Sequence, residues 1–455
     1  MADIVLDIEH LNIAGDGVGR HRGRALTVAF TIPGERVRAT LNASRPGSAA
    51  LVEVVRPSPH RVQARCAHFG VCGGCAWQHI AYDEQLRLKA GIVARLAQQA
   101  VPAAPAPRPM IAATALDDPW HYRQKVHFVF GSAARGRERG GLIMGHYARG
   151  SRRVMAVHEC PVHVERGNTV AFGLFDAYAA IGGRQVPTTL KSLAIRVSGS
   201  TNETLTTLVV SEGRDHRVRA ATRKALAASW APSSFHVNVH PRGDAFIFGP
   251  ETRRISGTER LRDTVSDVSF LISPTSFFQT NIRAAEILVR LVLEAVPPGE
   301  AVLDLYAGAG LFALPLARRG HRVTAVEANR AAVADGEASA RMNRISPDTC
   351  RFVARPVAAF TERLASAERL RPVASRKAAP VVILDPPREG CEAAVVDDVF
   401  GRISPTTAIY VSCNPETLAR DLTRIAQHGY RIASMQPVDM FPHTPHIETV
   451  VVMEK

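Results

Sequence analysis

Over the first sixty residues, apolar and polar positions alternate at strand period. Ile4-Val5-Leu6 and Ala25-Leu26-Thr27-Val28-Ala29-Phe30 read as strands, with Gly15-Asp16-Gly17-Val18-Gly19 as a turn-rich hinge between them. Pro33-Gly34 opens a further turn, and Arg36-Val37-Arg38-Ala39-Thr40-Leu41 alternates with arginines on one side. Short basic strands of this kind fit an OB-like barrel, a module that binds single-stranded nucleic acid. From Asp83 to Gln99 the period becomes helical, with Asp83 as N-cap and Leu86, Ala90, Val93 and Ala97 on one face. Residues 101–109, VPAAPAPRP, read as a Pro-Ala linker. Residues 110–270 read as α+β, and Trp120 to Phe130 interleaves aromatic and basic residues at strand period.

The pattern changes again after Ser273-Pro274. A helix carries Ile287, Leu288, Leu291, Val292 and Val296. Apolar strands then alternate with helices: Ala301 to Leu305, Val323 to Val326, Val381 to Leu384, Ala408 to Val411 and Glu448 to Met453. Strands alternating with helices predict a parallel, doubly wound α/β sheet. Such sheets bind ligands at the carboxyl ends of their strands.

Charge divides the chain in the same place. Residues 1–270 hold 35 Lys+Arg against 22 Asp+Glu, and residues 271–455 hold 21 against 20. The cations are almost all arginine, whose planar fork suits phosphate and stacks on bases. A basic front on a nearly neutral back suggests a polyanion-binding part joined to a chemical part. Three arginines between Gly131 and Gly141, with Arg149, Arg152 and Arg153 after them, extend the basic surface. Beside aromatics they suit single-stranded RNA, with Arg123 and Lys125 as candidate contacts. No apolar run approaches the roughly 18 residues of a membrane span. The acidic N-terminus lacks the basic start of a signal peptide, so a cytoplasmic protein is expected.

Seven cysteines, an odd number, argue against a disulfide framework. Cys66, Cys72 and Cys75 fall within ten residues around Gly73-Gly74, and Cys160 is the best fourth partner. Four thiolates hold either zinc or an iron–sulfur cluster, and the spacing leaves the metal open. Cys350 and Cys391 match no motif. Asp304-x-Tyr306-x-Gly308-x-Gly310 after a strand makes a nucleoside-binding turn, with Glu327 at the next strand end for a ribose diol. The third glycine of a dinucleotide site is missing, which favours S-adenosylmethionine over NAD. Asp385-Pro386-Pro387-Arg388 has arginine where amino-group methyltransferases carry an aromatic, which disfavours methylation of exocyclic nitrogen.

Cys413 ends a strand before Asn414-Pro415. A lone cysteine in an apolar run is most often structural. Beside a methyl donor it has a second use. A thiolate added to C6 of uracil makes C5 nucleophilic, and a base must then remove the C5 proton. Glu448 can be that base or an ordinary strand-start carboxylate.

The stretches SPTSFFQTN (273–281), LDLYAGAG (303–310), ILDPPREG (383–390), VSCNPETLARDL (411–422) and FPHTPHIETVVVMEK (441–455) resemble the bacterial RNA uracil-5-methyltransferase family, in particular its members acting on 23S rRNA. The resemblance spans nearly the whole chain. It implies an N-terminal OB-like TRAM β-barrel over 1–60, a central α+β iron–sulfur and RNA-binding domain over 61–270, and a class I (Rossmann-like) S-adenosylmethionine methyltransferase domain over 271–455. It also implies that the 83–100 helix packs on the catalytic domain. Cys413 is then the nucleophile and Glu448 the base. Gln279, Tyr306, Glu327 and Asp385 line the S-adenosylmethionine site, and Cys66, Cys72, Cys75 and Cys160 hold a [4Fe–4S] cluster. Leu311 stands where relatives often have Asn. The expected protein is a monomer acting on 23S rRNA. The alternatives are a tRNA T-loop methyltransferase, a non-catalytic RNA-binding or ribosome-assembly factor, and a DNA cytosine-5 methyltransferase. The last usually carries its cysteine after proline, whereas Pro415 follows Cys413 here.

Overall fold

The computed structural model describes residues 3–133, 141–181, 189–243, 247–370 and 380–455. Arg135, Arg137 and Arg139 of the arginine-bearing loop lie outside the described residues.

Strands Asp3–Leu11, Gly17–His21, Arg24–Val28, Arg36–Leu41 and Ser48–Arg56 close into a barrel. Alternation sends Ile4, Leu6 and Ile8 inward against Leu26, Val28, Val37 and Ala39. The expected hinge is itself mostly strand. Gly17 and Gly19 lie inside Gly17–His21 because a Cβ at either would strike Thr31 or the Asp7 carbonyl. They are glycines for close approach, and only Gly15, at φ +83°, serves a turn. The next strand stops at Val28, because Phe30 sits at φ +62°.

A second sheet has seven strands in the order Glu251–Ser256, Ser234–Val239, Thr204–Val210, Leu190–Val197, Lys125–Ser132, Leu142–Tyr147, Val154–Ala156. Helices Glu165–Ala179 and His216–Ala225 pack together and supply buried residues to its core. The aromatic-basic run is not the open RNA surface expected of it. Val126, Phe128 and Phe130 face the core, and the strand begins only at Lys125.

The third sheet has eight strands, in the order Cys350–Ala354, Val323–Glu327, Val302–Leu305, Val381–Leu384, Thr407–Ser412, Glu448–Glu454, Arg431–Asp439, Ile111–Ala112. Its first five strands are parallel, as a doubly wound sheet requires. The expectation of a wholly parallel sheet fails at Glu448–Glu454, which runs antiparallel to both neighbours. Only about eight residues separate Asp439 from the final strand, too few for a helical crossover but enough for a return loop. The brief strand Ile111–Ala112 extends this sheet from far upstream.

Helix Tyr82–Ala100 packs on helix Pro415–Ala426 and strand Arg431–Asp439. Its N-cap is Ala81, with Asp83 in the first turn, and no side chain caps it. The apolar stripe is partly displaced. Val93 and Ala97 are buried as expected, but the polar side chains Gln85 and Lys89 are buried with them. Gln85 donates to the carbonyls of Trp77 (3.1 Å) and Ile80 (2.9 Å) and accepts from His443 N (2.8 Å). Lys89 Nζ donates to Asp439 Oδ1 at 2.6 Å and to the Phe441 carbonyl at 3.0 Å. Both charged side chains are 0% exposed.

Among the described residues, no helix is long and apolar enough to cross a membrane. Removing one member of a fully buried ion pair strands the other, at a cost of about 3–5 kcal/mol. Lys89→Met is therefore expected to lower the thermal unfolding temperature sharply, and the Lys89→Met/Asp439→Leu double variant to recover most of the loss.

Candidate active site

The strand register assembles the site. Leu305 pairs with Val326 on one side and Leu384 on the other, so the residues that follow reach the carboxyl edge together. They are Tyr306 and Asp385, level with Glu327. Two bonds fix the rung: Asp385 N donates to the Leu305 carbonyl (3.3 Å), and Ala307 N to that of Val326 (3.0 Å). Tyr306 takes φ +63°, rare for a bulky residue, and turns the chain into Gly308 (φ +56°) and Gly310 (φ +87°). A Cβ on Gly310 would press on Phe352 at 2.8 Å. Gly308 N donates to Glu327 Oε2 at 3.0 Å, while Asn329 N donates to Glu327 Oε1 at 2.7 Å. The carboxylate is thus fixed beside the glycine turn.

Gln279 lies in a segment that the central sheet holds. Buried Arg196 donates to the carbonyls of Phe278 (2.6 Å) and Gln279 (2.9 Å), and Gln124 N donates to that of Thr280 (2.7 Å). Sequence reading missed Arg196. The available signal was an arginine inside the apolar run Leu193 to Val197 of strand Leu190–Val197. Leu311 is buried in the sheet's core, so a side-chain contact to a bound nucleoside there is lost.

Cys413 follows strand Thr407–Ser412. Ser412 pairs with Thr449 on the antiparallel neighbour, so the next rung opposes Cys413 to Glu448. Asn414 caps helix Pro415–Ala426 and donates from Nδ2 to the Arg388 carbonyl at 3.0 Å. Thr417 Oγ1 donates to the same carbonyl at 3.1 Å. Below them, buried Asp421 accepts from Tyr410 OH (2.6 Å) and Cys391 N (2.8 Å). Two loops that sequence reading treated separately, Asp385–Arg388 and Cys413–Pro415, are therefore one bonded unit. Cys391 belongs to that packing, and Cys350 is buried at the start of a strand.

The electrostatics are those of acids gathered out of water. Glu448 is 5% exposed, and burial, reinforced by Asp385, pushes its carboxyl well above the usual range. Burial raises Asp385 to about 7. Asp304, buried with neither oxygen bonded, is pushed well up by burial and by Asp385. Burial and then the Glu448 and Asp385 carboxylates push the Cys413 thiol up to about 12. Arg388 acts in the opposite direction on both Cys413 and Glu448. A carboxylate with a raised proton affinity is the better acceptor of a proton from carbon, and a thiol beside it needs positive charge to ionise.

Cys66, Cys72, Cys75 and Cys160 line a different cavity, of about 480 Å3, with Arg123 and Lys125. Gly73 N donates to the Tyr147 carbonyl (3.0 Å) and Arg149 N to that of Val71 (2.9 Å), pinning the cysteine loop to the seven-stranded sheet. Asn168 holds Cys160 from both sides, accepting from its N (3.3 Å) and donating to its carbonyl (3.0 Å). Among the described residues, no three His, Cys, Asp or Glu side chains converge closely enough for a single metal ion. The four thiols nevertheless line one cavity, as the ligands of any shared metal centre would have to. Arg123 and Lys125 line this cavity, half-buried, with Arg123 near the Phe441 ring and Lys125 near the Phe248 ring.

Residues 196–455 match the family profile described as tRNA (uracil-5-)-methyltransferase. An uncharacterised RNA methyltransferase of Thermosynechococcus vestitus is 34% identical over 99% of this chain and 98% of its own length. One from Halalkalibacterium halodurans is 34% identical over 99% and 97%. The crystal structure of Pyrococcus abyssi tRNA (uracil-54, C5)-methyltransferase in complex with S-adenosyl-L-homocysteine superposes with a TM-score of 0.75 at 26% identity, covering 99% of this chain and all of that one.

Asp385 holds its proton more tightly in the folded than in the unfolded protein. Its burial therefore costs nothing below about pH 4, costs more as pH rises, and levels off above about pH 7. Asp385→Asn is expected to unfold at higher urea than wild type at pH 8, by at most about 4 kcal/mol, and to match it at pH 4.

Proposed function

The chain belongs to the RNA (uracil-5-)-methyltransferase family and uses S-adenosylmethionine, and from that premise we propose that it methylates C5 of a uridine in 23S rRNA with Cys413 as nucleophile and Glu448 as base. The reading rests on one observation, the opposition of Cys413 and Glu448 across antiparallel strands at the edge that also bears Tyr306, Glu327 and Asp385. In this reading those three and Gln279 hold the cofactor, with Glu327 on the ribose. When bound, S-adenosylmethionine supplies an electrophilic methyl group.

The Cys413 thiolate adds to C6 of the uracil, and the C5–C6 π electrons move onto the C4 oxygen as an enolate. C5 then forms its bond to the methyl carbon as the sulfonium–methyl bond breaks. C5 now carries both a hydrogen and a methyl group. Glu448 takes the hydrogen as a proton, C5=C6 re-forms, and Cys413 leaves as thiolate. A buried carboxyl with a raised proton affinity is suited to that transfer. The target base is read as flipped out of its RNA fold, since C6 must meet a thiol at a sheet edge.

We assign residues 1–60 to a TRAM-like barrel, 61–270 to the central domain and 271–455 to the catalytic domain, in a cytoplasmic monomer. Cys66, Cys72, Cys75 and Cys160 would hold a [4Fe–4S] cluster. Methyl transfer moves no electron onto a cluster, so its contribution is to the fold or to RNA binding. The excess of 13 basic over acidic residues in 1–270 supports a large polyanionic substrate. A second reading, methylation of a tRNA T-loop, is favoured by the full-length likeness to the archaeal tRNA enzyme.

RNA bearing 5-fluorouridine at the target is expected to form an adduct that survives denaturing electrophoresis, because fluorine does not leave as a proton. Cys413→Ala should form none. Glu448→Gln should trap normal RNA in a covalent complex, and normal turnover by that variant would remove Glu448 from the mechanism. Mapping of 5-methyluridine in rRNA and tRNA from a deletion strain, with and without complementation, separates the two substrates.

Protein reconstituted with iron and sulfide is expected to bind both, and Cys→Ser at any of the four positions to reduce bound iron, measured by metal and acid-labile sulfide analysis.

A further inference from the structure

The Cys413 cavity, about 150 Å3, is walled by Ile13, Ile92, Ile447 and Pro445, with Arg388 and His446 at its mouth. Of the described residues lining it, Arg388 alone carries a permanent charge. Its backbone is fixed through its carbonyl by Asn414 and Thr417, but the side chain is exposed and, among the described residues, makes no ion pair. A free arginine side chain has many rotamers, and something must hold this one toward the thiol.

Among the described residues, the side chain that its guanidinium meets within hydrogen-bond range is His446. Nη2 lies 3.4 Å from Nδ1 and 3.5 Å from Nε2 of the imidazole. A donor at that range from both ring nitrogens cannot lie in the ring plane without colliding with the carbon between them. The guanidinium therefore rests over the ring face, as Arg stacks on aromatic planes. Phe441 packs at right angles to the imidazole (centroids 5.9 Å apart, planes at 81°), and Arg123 lies 5.9 Å from the Phe441 centroid. The His446 backbone is tied by its N donating to Thr444 Oγ1 at 3.3 Å.

We propose that His446 is a positioning residue: its ring, packed against Phe441, holds the Arg388 guanidinium at the Cys413 cavity, where it offsets negative charge on the thiolate and on the uracil enolate. The ring suits this because burial and three cations, Arg388, Lys89 and Arg123, hold its proton affinity down to about 4. A protonated ring would repel the guanidinium it carries. The inference rests on the reading of Cys413 as nucleophile given above.

Its test needs neither RNA nor methyl donor. The rate of Cys413 alkylation by iodoacetamide, read by peptide mass spectrometry between pH 7 and 10, reports the thiolate fraction at that one residue. His446→Ala is expected to slow alkylation at pH 8 about tenfold, an upward displacement of the thiol by about one pKa unit. Arg388→Ala should do the same, and His446→Ala in an Arg388→Ala background should add nothing. His446→Phe, which keeps a ring face without a titratable group, should restore most of the rate. An unchanged rate in His446→Ala overturns the proposal. So does a further loss in the Arg388→Ala background, or a Phe variant as slow as Ala. Failure of the 5-fluorouridine adduct would instead remove the nucleophile assignment, while the alkylation series would still report on the clamp.

Discussion

The buried pair of Lys89 and Asp439 is the constraint on which the arrangement depends. The two residues are 350 positions apart, and neither side chain touches water. Burying two charges costs several kcal/mol per ion, recovered only where the geometry is close and the remaining donors are used. Lys89 meets that condition by also reaching the Phe441 carbonyl, with its ammonium 5.7 Å from the Trp77 ring centroid. Asp439 ends the strand beside Glu448–Glu454, so the pair fixes the start of the connecting loop. Within that loop His443 takes φ +64°, stacks on Trp120 with centroids 3.9 Å apart, and accepts through its carbonyl from Ala76 and Trp77. The barrel joins the same hub where Trp77 Nε1 donates to the Gly15 carbonyl at 2.9 Å. Barrel, cysteine loop, long helix and catalytic strand are thereby held at one place, and the loop leads from it through His446 to Glu448.

The active edge itself is assembled against its own electrostatics. Asp304, Asp385 and Glu448 are all driven toward their neutral forms by burial, the first and last also by Asp385, and the thiol among them is driven the same way. Such a site is poor at making a thiolate, and a carboxylate ionised within it holds an incoming proton strongly. In the reaction proposed above both halves are needed in sequence, so positive charge near the sulfur decides whether the first half can start. That gives meaning to an arginine after Asp385-Pro386-Pro387, where a nitrogen methyltransferase has an aromatic to grip its base.

The sequence was legible wherever one residue carries one job. The period-two pattern of Asp3–Leu11, the apolar runs of the parallel strands, the glycine turn after Leu305 and the cysteine before Asn414-Pro415 all announced themselves. What stayed hidden depends on partners far along the chain. Gln85 and Lys89 look like the polar side of a surface helix until Asp439 and His443 are known to face them. Arg196 looks like a solvated strand residue until the Phe278 and Gln279 carbonyls are placed beside it. Gly17 and Gly19 carry the composition of a turn but the function of a tight strand crossing. The reversed direction of Glu448–Glu454 leaves no mark in its own residues, because an apolar strand buried on both faces reads the same in either orientation.

The place of that strand in the sheet has a consequence for synthesis. It is the last of the eight to leave the ribosome, yet it lies inside the sheet, between Thr407–Ser412 and Arg431–Asp439. A nascent chain that has reached residue 447 can already have its barrel and its parallel strands. It then displays two open strand edges with a slot between them, which is a hazard for aggregation. Insertion of residues 448–454 closes the slot and delivers Glu448 in the same event. Chains truncated before Glu448 therefore keep that slot open.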